Sequence, residues 1–177
     1  SSDIASLGIL ASLIITILLF SGVIKINDIS SISILNIISV DKYSLLLKIV
    51  VLLLSLSIST VGKEVISDTL KLRSEFWTLF MISLAGMMML TSVTEMITAW
   101  VALELTSLPL IGMLSLNKKR YSLEISFKYL ILSATSSAII LMGISQLYGL
   151  SGSTFFNDIM PLKDALGGRF IFEDSTQ

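Results

Sequence analysis

The sequence predicts an all-α fold: a polytopic transmembrane helical bundle of about five spans. Composition is the first observation behind it. Of 177 residues, 54% are hydrophobic and only 14% are charged, whereas a soluble domain carries about 25% charged residues. The second is the recurrence of apolar runs long enough to cross a bilayer, each bounded by polar residues. The third lies in the run over residues 96–116, which carries one carboxylate, Glu104, and then Pro109, one of two prolines in the chain. At about 1.5 Å per residue, Glu104 sits roughly 12 Å from Met96, well inside a hydrocarbon core about 30 Å thick.

The first span covers residues 4–24 and is nearly free of charge. It has no basic residues before it, and it is longer than the apolar stretch of a secretory signal. The chain begins with Ser1, so either something was removed upstream or the numbering begins inside a longer product. A connector over residues 25–41 follows, rich in Ser and Ile. Its pattern fits a short interfacial helix or a strand-like coil, and periodicity does not choose between them.

The second span is residues 42–62, with Lys48 one or two turns inside. A lysine there reads first as a side chain snorkelling to the headgroups. A polar loop over 63–74 holds Lys63, Glu64, Asp68, Lys71 and Arg73. The third span, 75–91, has Ser74 placed as an N-cap and Glu75 at the positive end of the helix dipole. Its Met87-Met88-Met89 run reads as packing rather than as a metal box.

The turn into the fourth span reads Ser92-Val93-Thr94-Glu95. That matches a capping box, with Ser92 as N-cap and Glu95 reaching back to it, which gives Glu95 a structural role against a proton-relay one. Asn117 is placed to end the span in a left-handed conformation. After the basic run Lys118-Lys119-Arg120 comes the fifth span, 121–148, longer than a bilayer needs and therefore tilted or protruding. Ser133, Ala134, Ser136, Ser137 and Ala138 make it a candidate for close helix contact. Ser151-Gly152-Ser153 breaks it. Residues 1–149 thus form the transmembrane region, and 150–177 a polar or interfacial tail. Basic residues favour the side shared by the chain's start, the 63–74 loop and the Lys118-Lys119-Arg120 run as the inner side, with the tail outside.

Cysteine and histidine are both absent. That removes disulfides, cysteine-ligated iron–sulfur clusters, histidine-ligated haem and the usual zinc sites. A net charge of −1 with no basic arm argues against nucleic-acid binding. Chemistry must run on carboxylates, amines, hydroxyls and water. Glu104 has two readings. One is a proton-carrying carboxylate, whose affinity burial raises and a nearby cation lowers. The other is a structural carboxylate hydrogen-bonded across a helix contact. Pro109 lacks an N–H, so the carbonyl of Leu105 loses its helical partner beside that carboxylate. Lys128 has Glu124 four residues before it on the same helical face, with Thr135 extending the polar stripe. It reads equally as a relay lysine, paired with Glu124 or approached by Glu104, and as a snorkelling one.

With those residues in view the chain resembles subunit 2 of the proton-pumping NADH:quinone oxidoreductase, respiratory complex I. The stretches that carry the resemblance are ALELTSLPLIGML and NKKRYSLEISFKYLILSATSSAIILMGISQLYGLSGS. They hold a membrane glutamate before a Leu-Pro kink, a basic loop, a Leu-Glu, a Lys-Tyr, a Ser-rich helix and a Tyr-Gly-x-x-Gly ending. Val40-Asp41-Lys42-Tyr43 also resembles the entry to the preceding helix. The resemblance implies part of an antiporter-like fold that moves protons, with Glu104, Lys128 and Glu124 in proton transfer and Pro109 at the kink. It implies no cofactor and no metal in this chain. NADH, flavin, iron–sulfur clusters and quinone would lie in other subunits. It implies other complex I membrane-arm subunits as partners, a chain supplying the remainder of subunit 2, and a place in the mitochondrial inner membrane. A cation/proton antiporter component and a purely structural membrane scaffold are the alternatives.

Overall fold

The computed structural model describes residues 2–21, 37–39, 41–69, 73–117 and 119–158. The expectations for residues 25–36, for Lys118 and for the tail beyond 158 lie outside the described residues. Five helices follow one another: α1 Ser2–Phe20, α2 Lys42–Thr69, α3 Arg73–Leu90, α4 Met96–Ser115 and α5 Arg120–Ser151. The all-α bundle therefore stands. Among the described residues, stretches of α1, α2, α4 and α5 are long and apolar enough to cross a membrane, and the apolar Ser74–Leu90 part of α3 is shorter.

The surface is inverted relative to a water-soluble bundle. Large apolar side chains such as Ile14, Leu54, Ile58, Leu132, Ile139 and Met142 face outward, while Thr16, Ser44, Ser55, Ser59, Ser83, Ser92 and Ser126 are buried. Lipid makes that arrangement favourable. Apolar side chains gain nothing by leaving hydrocarbon, so helices associate through small residues, close packing and hydroxyl bonds. Successive helices run antiparallel, with α1 on α2, α3 on α4 and α4 on α5, and α3 also touches α1 and α2. Ile9, Leu52 and Leu84 form the small apolar centre where α1, α2 and α3 meet.

One end of the bundle is closed by an extended clasp. Ile38 bridges Val93, and Glu95 bridges Phe155, both antiparallel. The turn between α3 and α4 is thus flanked by the segment before α2 on one side and the segment after α5 on the other. Backbone bonds from Ser39 to Ser92 (2.8 Å), Thr94 to Ile37 (2.9 Å), Met96 to Thr154 (3.0 Å) and Phe156 to Thr94 (3.1 Å) hold it. Below it the hydroxyls of Ser44 and Ser92 lie 2.9 Å apart. At the opposite end Lys63 of α2 donates to Asp3 of α1 at 2.9 Å and to Ser6 at 3.2 Å.

Several local expectations change. α2 does not stop at Gly62 but continues to Thr69, because nothing from Lys63 onward lacks an N–H or breaks the turn, and Lys63 finds its partner on α1. α3 starts at Arg73, so Ser74 lies inside its first turn and its carbonyl accepts from Thr78 Oγ1 at 2.9 Å. The capping box at 92–95 does not form. Glu95 itself is the N-cap of α4, extended at φ −123° and ψ 138°, with no side-chain cap bond. Ser92 is spent on Ser44, and the Met96 N–H is satisfied by Thr154 instead. α4 closes on Leu116 as its C-cap, in right-handed conformation, with Asn117 next. α5 ends as expected, on Gly152 at φ 71°, whose N–H donates to Tyr148.

Among the described glycines, the closest approach is at Gly86. A Cβ built there would lie 2.6 Å from Thr106 Oγ1, 2.8 Å from Thr106 N and 2.9 Å from the Leu105 carbonyl carbon. Two of those atoms are backbone and cannot swing aside. Gly86→Ala should therefore push α3 off α4 and destabilise the bundle by about 1–3 kcal/mol. Thermal unfolding of the chain in lipid nanodiscs measures it. An unchanged midpoint would show that the two helices do not touch there.

Candidate functional site

Glu104 lies on α4 one turn after Trp100 and one turn before Ser107, so the three share a face. Trp100 sets which way that face looks, because its Nε1 donates to Ser137 Oγ of α5 at 2.8 Å. Glu104 is half-buried on the α5 side. Its carboxylate has no hydrogen bond or ion pair among the described residues; only its backbone carbonyl is used, by Ser107 Oγ at 3.5 Å.

The opposite side of α4 is fastened to α3 one turn further on. Ser83 Oγ donates to the Thr106 carbonyl at 3.0 Å, and Thr106 Oγ1 donates back to Ala102 at 2.9 Å. Gly86 lets the two backbones meet at the same level. Pro109 is buried inside α4, so the carbonyl it deprives, that of Leu105, sits against this contact. Sequence reasoning singled out Glu104 and Pro109 but missed Ser83, Gly86 and Trp100. The available signal was Ser83-x-x-Gly86, a small-residue pair inside an apolar span.

Lys128 and Glu124 do meet. Lys128 Nζ lies 2.7 Å from Glu124 Oε1, four residues apart, with side chains 71% and 59% exposed. Ser126, midway between them, is the buried residue of α5. Two residues turn a helix by about 200°, so the ion pair points away from α4. The structure therefore joins Lys128 to Glu124 and brings neither to Glu104. Thr135 and Ser136 are exposed too, each bonded back to its own helix at 2.8 Å and 2.9 Å. The small-residue contact of α5 is narrower than expected. Ser133 and Ser137 are half-buried, while Ala134, Ser136 and Ala138 are exposed.

At the clasp, Glu95 is a tie. Its carboxylate accepts from Thr98 Oγ1 at 2.6 Å and from Thr154 Oγ1 at 2.7 Å. These two hydroxyls, Thr98 first, hold its pKa below the usual glutamate value, against a smaller upward push from burial. Beside it, between α4 and α5, is a wholly apolar cleft of about 210 Å³ lined by Met96, Ala99, Trp100, Leu103, Ile140, Ile144 and Phe156. It offers no group for chemistry. Among the described residues no cluster of three acidic, His or Cys side chains could hold a metal.

Against known proteins, the family model described as "NADH:quinone oxidoreductase/Mrp antiporter, TM" matches residues 93–172. That range takes in the clasp turn, α4 and α5. NADH-quinone oxidoreductase subunit N of Acinetobacter baumannii is 35% identical over 120 residues, which is 67% of this chain and 24% of that protein. The protein of the same name from Buchnera aphidicola is 44% identical over 82 residues, 46% of this chain and 17% of its own. The chain thus spans about a quarter or less of the curated relatives it matches. In structure it is similar to a chain of respiratory complex I from Thermus thermophilus, solved with bound aureothin. That likeness has a TM-score of 0.65 at 24% identity, and covers 87% of this chain and 32% of the other. It shows that this chain shares the fold of that part of the other chain.

The Glu95 tie carries a pH dependence of definite sign. A carboxylate whose folded pKa is lowered adds stability that is complete above its unfolded value of about 4.3 and is lost as pH falls through the folded one. Melting of the chain in nanodiscs should therefore drop as pH is taken below about 5, and Glu95→Gln should flatten that drop. Identical profiles for the two would mean that Thr98 and Thr154 do not hold an ionised carboxylate.

Proposed function

We propose that the chain is a portion of the proton-translocating membrane subunit of an NADH:quinone oxidoreductase, the subunit called 2 or N. One observation carries the reading. A carboxylate at membrane depth, Glu104, stands free of hydrogen bonds and ion pairs among the described residues, five residues before a proline, within the region that the family model matches. An ionisable group in a membrane span is costly, on the order of 2.5–3.5 kcal/mol on insertion scales, and is kept where it does work. To Glu104 we assign the uptake and release of the proton. A shift of one pKa unit needs only about 1.36 kcal/mol of changed interaction.

The Lys128–Glu124 pair is the second element of the mechanism. Its charges sit about 12 Å and 6 Å along α5 from Arg120, on a face that the described residues leave open. Lipid against that face would have to solvate an ion pair. The pair is therefore placed against protein or water supplied by further polypeptide, and its opening or closing changes the potential in which Glu104 titrates. The rest of the antiporter-like unit, most of the relatives' length, comes from that same polypeptide. Other membrane-arm subunits are its neighbours. No cofactor is assigned to this chain; NADH, flavin, iron–sulfur clusters and quinone are assigned to other subunits, whose electron transfer drives the charge movements. We place it in the mitochondrial inner membrane on its Ile- and Ser-rich spans, although the relatives named above are bacterial. A cation/proton antiporter component is the second reading, favoured by the wording of the family description; it requires sodium-dependent transport without an electron donor.

In the assembled complex, Glu104→Gln and Lys128→Met should lower protons pumped per NADH oxidised at least about tenfold, with assembly changed no more than about twofold. Proton uptake by inside-out vesicles, normalised to the amount of complex on native gels, measures both. Undiminished pumping in both variants would overturn the proton roles and leave a scaffold.

A further inference from the structure

The packing of α1, α2 and α3 contains a second polar arrangement that neither Glu104 nor the Lys128 pair uses. Along α2, Ser44, Lys48, Ser55, Ser59 and Lys63 fall within an arc of about 100°. Ser44, Ser55 and Ser59 are buried, and Lys48 and Lys63 are half-buried. One end of this stripe is the Lys63–Asp3–Ser6 cluster, and the other is the Ser44–Ser92 hydroxyl pair under the clasp. Between them Ser55 Oγ donates to the Leu52 carbonyl, so its lone pairs stay available. Across the seam α1 contributes buried Thr16, bonded back to Ser12.

Two features go beyond a run of small residues. Ser59 is 0% exposed, and its hydroxyl has no hydrogen-bond partner among the described residues. A buried hydroxyl left unpaired is disfavoured, and an internal water is what commonly satisfies one. The other feature is Lys48. It lies about 9 Å into α2, on the packed stripe rather than the lipid face, with no carboxylate in ion-pairing range among the described residues. The titratable groups nearest in sequence are Lys42 and Tyr43 on its own helix and Asp41 just before it; α3 after Glu75 and α1 after Asp3 bring none, and the clasp brings Glu95, already held by two threonines. A lysine so placed needs water.

We infer that this seam is a hydrated site, with water between the Lys63–Asp3 end and Lys48, and that Lys48 exchanges a proton with it. In the exchange an N–H bond of the Lys48 ammonium breaks, the proton passes to the oxygen of a neighbouring water, and the neutral amine recovers one from the next. The site is separate from Glu104 and stands or falls without the redox-coupled reading.

The chain has no cysteine, so a single introduced thiol reports its own surroundings. A thiol reacts with a small water-soluble methanethiosulfonate only as thiolate, which forms in water and not in lipid or a dry core. In the full chain in vesicles, Ser59→Cys and Ser55→Cys should react at least about tenfold faster than Ile58→Cys, which is 55% exposed on the lipid side of α2 at the same depth. Thr16→Cys reads the seam from α1, independently of any effect on α2 insertion. Equal, slow rates for the seam cysteines and Ile58→Cys would overturn the hydrated site. For Lys48, the full chain carrying ¹⁵N-lysine should show a side-chain nitrogen signal that exchanges magnetisation with water and disappears in Lys48→Met. A Lys48 signal without exchange would overturn the proton step.

Discussion

A carboxylate inside a membrane has to be kept from hydrocarbon, and the arrangement around Glu104 is built by that requirement. Among the described residues the acid bonds to none of the helices beside it. Instead, α4 is oriented from both sides so that the acid stays on the α5 face. Trp100, one turn earlier, is pinned to Ser137 of α5. One turn later, Ser83 and Gly86 of α3 grip the backbone of Leu105 and Thr106. With α4 clamped at those two levels, Pro109 can remove a backbone bond without freeing the helix. The result is a helix held at two levels, with Glu104 on the stretch between them.

The clasp does for the ends of the helices what these contacts do for their middles. Antiparallel neighbours have to return to the same surface, and three chain segments pair there around residues 92–96. Backbone groups at that level would otherwise compete for water at the membrane edge. Glu95 adds a charged acceptor for the hydroxyls of Thr98 and Thr154. Helices α3, α4 and α5 are thereby held in register at one end, while Lys63 and Asp3 tie α2 to α1 at the other.

Much of this was legible in the residues. Hydropathy found the five helices, since crossing a bilayer demands length and apolarity that few other structures need. The spacing of Glu124 and Lys128 foretold their ion pair, because four residues is one helical turn. Glu104 and Pro109 stood out as exceptions within an apolar run. What was not legible depended on partners distant in sequence. The 92–95 motif looked like a capping box, yet Ser44, 48 residues away, claims Ser92, and Thr154, 59 residues away, claims Glu95. Gly86 carried no mark of the backbone it would touch. Nor did the pattern separate Lys128 from Glu104; only the burial of Ser126 shows that the ion pair looks the other way.

That separation shapes the account. Glu104 lies on the face of α4 that carries Trp100, whereas the ion pair looks outward from α5, so among the described residues the two do not meet. The central claim is that Glu104 sits where it can gain and lose a proton. Infrared difference spectra of the chain in lipid, taken in H₂O and in D₂O across a pH step, test it most directly. The account predicts a carboxylic-acid band that appears on acidification, shifts in D₂O and is missing in Glu104→Gln. A spectrum unchanged by that substitution would contradict it.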